Sequence, residues 1–154
     1  MPAPSGKAGD REGELRVRLT AQRILAAHVR DDRPAGQHLM PPAFWEGMSL
    51  DLTGAALVDF DLTDGRVAAA GFERARFPGA ATFDEATFGG LAAFAQSTFS
   101  SHLSFDRTAF SSIAGFHECV LTDRAARHVL PPGRRLGTTS EVSARLVYHE
   151  KSGD

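Results

Sequence analysis

The chain has 154 residues, of which 42% are apolar and 23% charged, and its formal net charge is −2. This composition predicts one domain with a buried core plus flanking segments. Its single cysteine, Cys119, excludes an internal disulfide framework, and no apolar run approaches the roughly 18 residues of a membrane-spanning helix. With no signal-peptide core in the first residues either, we expect a soluble, cytoplasmic protein.

The segment before residue 48 predicts a leader and an N-terminal cap. Residues 1–14 are small, charged and glycine-bearing, which is typical of a disordered leader. Within the cap segment, 15–47, we expect a helix over 20–30 with Thr20 as its N-cap. Four apolar side chains fall near one face of that helix: Leu15, Leu19, Ile24 and Leu25. The helix is expected to cover the first turn of the repeat segment that begins at residue 48, while Phe44 and Trp45 fill the end of its core.

From residue 48 to 121 large apolar residues recur at a short step. They lie five apart at first, and then alternately six and five: Leu52, Leu57, Leu62, Val67, Phe72, Phe77, Phe83, Phe88, Phe94, Phe99, Phe105, Phe110, Phe116 and Leu121. A step of five turns through about 140° on a helix and changes face along a strand, so neither element keeps these residues together. A coil that turns a corner after each unit keeps these residues together in its interior. The pattern therefore predicts an all-β solenoid with these fourteen residues as its structural core.

Several units resemble the repeat A-[DN]-[LF]-x-x of the pentapeptide-repeat family. Examples are Ala75-Arg76-Phe77, Ala81-Thr82-Phe83 and Ala86-Thr87-Phe88. The run ATFDEATFGGLAAFAQSTF resembles the phenylalanine-rich branch of that family, with its eleven-residue double unit, found in actinobacterial members. The resemblance implies a right-handed quadrilateral β-helix of about three and a half turns, with short helical caps at both ends.

At four units per turn, the residues that lengthen some units to six fall at two opposite corners of the coil. They are Ala80, Leu91, His102 and Ile113. Most of the glycines are expected to lie at corners, where a positive φ is needed.

The chain after residue 121 is expected to cover the other end. Thr122 predicts a cap helix over 122–130, which Pro131 ends. Residues 131–154 are weakly patterned, and a strand or a helical turn around Val142, Leu146 and Val147 are both left open. Four arginines make this end basic: Arg124, Arg127, Arg134 and Arg135. Because no aromatic residues alternate with them, a solvated surface is favoured over a nucleic-acid site.

The sequence holds no catalytic signature. Its six histidines show no zinc-like spacing, and neither a G-x-S-x-G motif nor a phosphate-binding glycine loop is present. We therefore predict no enzyme activity, no metal site and no cofactor.

The outer surface of the coil is the candidate for function. When the units are assigned to four sides in rotation, the side that holds Leu62, Phe83 and Phe105 is acidic. It carries Asp61, Asp64, Asp84, Glu85 and Asp106, together with Arg107. The plain interpretation is a solvated face, and the functional one is a partner-binding face on a rigid protein-interaction scaffold with an unknown protein partner.

Family resemblance supplies an alternative for the same face. A DNA-mimicking rod could inhibit or protect a type II topoisomerase such as gyrase. A homodimer through one end of the coil is left open as well.

Overall fold

The fold comes from a computed structural model, which describes residues 6–30, 45, 47–123, 125–131, 133–138 and 144–148. Within these residues the chain forms one helix and sixteen short strands. The helix is α1 (Gly6–Val29), and the strands are β1 (Ser49–Asp51), β2 (Phe60–Asp61), β3 (Arg66–Val67), β4 (Ala69–Gly71), β5 (Arg76–Phe77), β6 (Ala81–Thr82), β7 (Thr87–Phe88), β8 (Ala92–Ala93), β9 (Thr98–Phe99), β10 (Leu103–Ser104), β11 (Ala109–Phe110), β12 (Ala114–Gly115), β13 (Val120–Leu121), β14 (His128–Val129), β15 (Arg134–Thr138) and β16 (Ala144–Tyr148).

The strands of the coil stack into four parallel sheets, one on each side. Side 1 is β1-β4-β8-β12, side 2 is β5-β9-β13, side 3 is β2-β6-β10-β14 and side 4 is β3-β7-β11. We call each strand level of a side a rung and number the rungs from the N-terminal end. Sides 1 and 3 have four rungs each, so the coil is a four-sided β-helix, as predicted, with about four turns where about three and a half were expected.

Phenylalanine rings fill the interior in columns that run along the coil. Stacked pairs on successive rungs include Phe72 and Phe94, with ring centroids 4.9 Å apart, and Phe77 and Phe99, at 4.7 Å. Twelve of the fourteen predicted core residues are buried, whereas Leu52 and Phe110 are only half-buried. These two lie at the first rung of side 1 and the last rung of side 4, where a neighbour is missing along the axis.

The small residues two positions before each central residue also point inward. Most are alanines, and the polar ones bond to backbone carbonyls. Ser97 donates its hydroxyl to the oxygen of Phe94 at 2.6 Å, and Thr108 donates to the oxygen of Phe83 at 2.7 Å. These bonds satisfy groups that would otherwise be costly to bury.

Positive φ in the coil is adopted mainly by residues other than glycine. Among the described residues there are seven, with φ between 46° and 59°: Asp59, Asp64, Arg74, Glu85, Gln96, Arg107 and Glu118. Bonds between turns hold this conformation, as when the Arg74 amide donates to the oxygen of Ala95 at 2.9 Å. Gly79 is different, because a Cβ there would lie 2.0 Å from Oδ1 of Asp59.

The N-terminal segment corrects two predictions. Helix α1 begins at Gly6, so the predicted leader over 1–14 is wrong from that residue on, and residues 1–5 lie outside the described part. Thr20 is not an N-cap, since it lies inside the helix and its hydroxyl donates to the oxygen of Arg16 at 2.9 Å. The local reason for the longer helix is its content of arginine, leucine and glutamate, with an ion pair of 2.5 Å between Arg18 and Glu14.

The second half of α1 lies across the first turn of the coil. The Gln22 amide donates to the oxygen of Val58 at 2.7 Å and accepts from the Val58 amide at 3.1 Å, so it satisfies both backbone groups of a residue in the first turn of the coil. Arg30 forms an antiparallel bridge with Gly65, and Val29 is fully buried. The helical face was predicted only in part: Leu25 packs on the coil as expected, beside Gln22 and Val29, whereas Leu15 and Ile24 are exposed.

The expectation that Trp45 fills the core end is also wrong. Its ring stacks on His28 at 3.8 Å and is 42% exposed, because its amide bonds to the oxygen of His28 beside the helix end. Phe44 lies outside the described residues.

The predicted cap helix over 122–130 is wrong as well. Its described residues form a turn and then β14, the fourth rung of side 3. Oδ1 of Asp123 accepts from the amides of Ala125 and Ala126, which closes a turn that takes the place of the first turn of a helix.

A β-hairpin covers the C-terminal end of the coil. Strands β15 and β16 pair antiparallel, and β16 also pairs antiparallel with β13 at the edge of side 2. Ala144 and Leu146 are buried there, so the prediction of a weakly structured tail over 131–154 fails for the described residues. Val142 lies outside them.

Candidate functional site

The structure places all five predicted acidic residues on side 3 or the corner that follows it, but in three separate columns. Asp61 aligns with Thr82 and Ser104 in the strand column. Asp84 lies above Asp106 in the next column, where the Asp106 amide donates to Oδ1 of Asp84 at 3.1 Å. The corner column contains Asp64, Glu85 and Arg107, all with positive φ. The acids therefore do not form one continuous row.

Two of the carboxylates stabilise the coil itself. Oδ1 of Asp61 accepts from the amide of Thr63 at 2.9 Å and from its hydroxyl at 2.5 Å. Oδ1 of Asp84 accepts from the hydroxyl of Ser104 as well as from the Asp106 amide. Charge-assisted bonds of this kind hold a side chain in one geometry. Asp61 and Asp84 thus stabilise the coil independently of any role in binding.

Arg107 lies among the remaining acids. Its guanidinium is 3.8 Å from Oε1 of Glu85 and 3.7 Å from Oδ2 of Asp106. All three side chains are at least half exposed, so these contacts contribute little to stability. They do lower the local charge, and the side keeps a net excess of carboxylates, of which Asp61, Glu85 and Asp106 are exposed and Asp64 is half-buried.

Helix α1 brings cations to the N-terminal end of the same side. Arg23 and Arg30 line a groove of about 430 Å³ together with Asp59 and Asp61, and Nε of Arg30 donates to the oxygen of Thr63 at 3.1 Å. Nothing in the sequence indicates this neighbourhood, because it depends on the direction in which the helix crosses the coil.

Side 1 is the surface that the sequence did not single out. Leu91 and Ile113 are exposed there by 53% and 73%, one above the other at the corner from side 4. The only signal in the sequence is that both are inserted residues of six-residue units. At the opposite corner, a hydrogen bond from Gln96 and the charge of His117 lower the pKa of Glu118 below its usual value.

The interior offers no reactive group to solvent. Burial raises the pKa of the Cys119 thiol, which donates to the oxygen of Phe94 at 2.7 Å. Among the described residues, no three side chains of the metal-binding types come together. Nor does that part of the chain contain a helix with the length and apolarity needed to cross a bilayer.

Comparison with known proteins identifies the repeat. The family model described as pentapeptide repeats (9 copies) matches residues 72–120. No match was found among curated proteins or among solved structures. The matched residues cover rungs on all four sides of the β-helix, so this part of the coil matches the pentapeptide-repeat family.

Proposed function

We propose that this protein is a non-enzymatic, cytoplasmic interaction scaffold that binds a basic surface of another protein through side 3. A β-solenoid of pentapeptide repeats is typical of a protein-interaction module. The coil supports this use, because its aromatic interior is closed and its sides are flat.

One observation carries the choice of side 3. The backbone holds its carboxylates at fixed positions on successive turns, as in the bond from the Glu85 amide to the oxygen of Asp106 at 2.8 Å. Parallel rungs are about 4.8 Å apart, so the acids repeat at that spacing. A partner with regularly spaced lysines or arginines would meet carboxylates whose backbone positions are already fixed, and that lowers the entropic cost of association.

The test is affinity capture from the native source with a charge-reversed side 3. The variant combines Glu85→Lys and Asp106→Lys, which leaves the bonds made by the Asp61 and Asp84 side chains in place. A matched control, Asp10→Lys with Glu12→Lys, makes the same charge change on the exposed half of α1. We expect the variant to lose partners that the control retains. A set of partners identical for wild type and variant would reject side 3.

The same acids support a second candidate, a DNA mimic that acts on a type II topoisomerase. From Asp64 to Arg107 the corner column covers three rungs, about 10 Å from first to last, over which duplex DNA carries about six charges. Side 3 has five carboxylates there, but Arg107 interrupts them. Inhibition or protection of gyrase in a supercoiling assay would favour this candidate over a general scaffold, and an unchanged supercoiling rate at excess protein would eliminate it.

A further inference from the structure

Side 1 presents a surface without charges at its centre. Its outward strand residues on rungs 2 to 4 are Gly71, Ala93 and Gly115, which align in register. No atom lies within 4 Å of where a Cβ of Gly115 would be, so this part of the face is open. Along the border with side 4, Leu91 on rung 3 and Ile113 on rung 4 are exposed. The smaller Ala69 occupies the equivalent position on rung 2.

The border of side 1 with side 2 carries charged residues on rungs 2 and 4 and uncharged residues on rung 3. Rung 2 ends in Glu73 and Arg74, and rung 4 ends in His117 and Glu118. Between them, rung 3 ends in the uncharged Ala95 and Gln96. The structure gives Arg74 no ion-pair partner among the residues it describes.

We propose that side 1 binds side 1 of a second copy of this chain, with the two coil axes antiparallel. A two-fold axis through Ala93 and across the coil then places rung 2 of one copy opposite rung 4 of the other. Each border meets the same border of the partner copy. Arg74 faces Glu118, and Glu73 faces His117.

The apolar border is complementary under the same operation. Ile113 on rung 4 meets Ala69 on rung 2, a large side chain against a small one, and Leu91 meets its own copy. A parallel arrangement would instead place Arg74 opposite Ala69 and Glu118 opposite Ile113. Charge against apolar surface is unfavourable, so the antiparallel dimer is selected.

The size of the face sets the strength of the dimer. Rungs 2 to 4 extend about 10 Å along the coil, which places the contact among weak interfaces that bury less than about 1,200 Å² in total. Side 3 lies on the opposite side of the coil and stays accessible in this dimer. The dimer therefore stands independently of the proposed function.

The test is sedimentation equilibrium of the full chain over concentrations up to the millimolar range. We expect a reversible dimer for the wild type, and a monomer at all concentrations for Ile113→Asp. Arg74→Glu and Glu118→Arg should each weaken association about tenfold, whereas the double variant with both changes should return to within about threefold of wild type. The control Arg76→Glu, an equal charge change on side 2, should leave association unchanged.

Cross-linking distinguishes the orientation. Leu91→Cys should form a dimer with a short bismaleimide, whereas Ser100→Cys on side 2 should not, and the buried Cys119 gives no background. A monomer at every concentration overturns the proposal. So does a dimer that Ile113→Asp leaves intact, or a charge swap that restores nothing.

Discussion

Phenylalanine determines how the interior of the coil closes. Phe94 stacks on Phe72 at 4.9 Å and on Phe116 at 5.0 Å, and it meets Phe83 edge-on at 5.3 Å. Stacked and edge-to-face rings each add about 0.5–1.5 kcal/mol beyond the burial of apolar area. A single ring thus contributes to contacts along the axis and across it.

We expect Phe94→Ala to lower the free energy of unfolding by about 3–5 kcal/mol. The cavity would lie in the middle of the stack, where turns on both sides prevent collapse. The measurement is urea denaturation followed by circular dichroism. Phe110→Ala is the matched control, because Phe110 is half-buried on the last rung of side 4, and it should cost clearly less. Equal midpoints for the two variants would contradict the packing described for the column.

The corner residues are exceptions to the preference for glycine at positive φ. Glycine is the usual residue at positive φ, yet residues such as Arg74 and Glu85 adopt it at corners of sides 1 and 3. Each donates its backbone amide to a carbonyl in the following turn, at 2.9 Å and 2.8 Å respectively. The stacked turn thus offsets a conformational cost that the residue type alone would make unfavourable.

At the scale of elements, the two ends of the coil are covered by different means. A helix lies across the first turn, and a hairpin continues the sheet of side 2 past the last turn. Both satisfy backbone groups at strand edges that would otherwise pair with other chains. The contact from Gln22 to Val58 is the clearest case, because one side chain satisfies both a carbonyl and an amide.

Gln22→Ala should lower the free energy of unfolding by about 1–3 kcal/mol, since two backbone groups of Val58 lose their partner. The exposed neighbour Arg23 gives the control Arg23→Ala, which should change it by less than about 0.5 kcal/mol. Thermal denaturation compares the two. A Gln22 variant as stable as the control would show that the amide does not hold the helix on the coil.

For the whole molecule, the period of the coil is a testable quantity. Phe94 and Phe116 occupy equivalent places on side 1 and are 22 residues apart. Deleting residues 95–116 should therefore remove one turn and keep every remaining inward side chain inward. We expect a folded protein with a lower thermal midpoint and one unfolding transition.

The control deletion, residues 95–115, is one residue shorter. It leaves one extra residue at the corner between sides 1 and 2, where the other units have five residues, so the last units must form a new bulge or lose their register. That variant should have a clearly lower thermal midpoint than the deletion of 95–116, as judged by circular dichroism. Two deletions that behave alike would argue against a fixed period of 22 residues.

The spacing of the sequence by itself determined the coil and its inward residues, and the resemblance to pentapeptide repeats supplied the number of four sides. Within a five- or six-residue unit, the direction of each side chain follows from its place in the unit, so local spacing is sufficient. The same rotation placed Asp61, Asp84 and Asp106 on one side of the molecule.

Only the tertiary structure decided the ends and the detailed surface. Gln22 and Val58 are 36 residues apart, and no period connects them. The C-terminal hairpin depends on the edge that β13 offers to β16. Contacts between distant segments follow from the assembled shape, because no local preference of the chain specifies them.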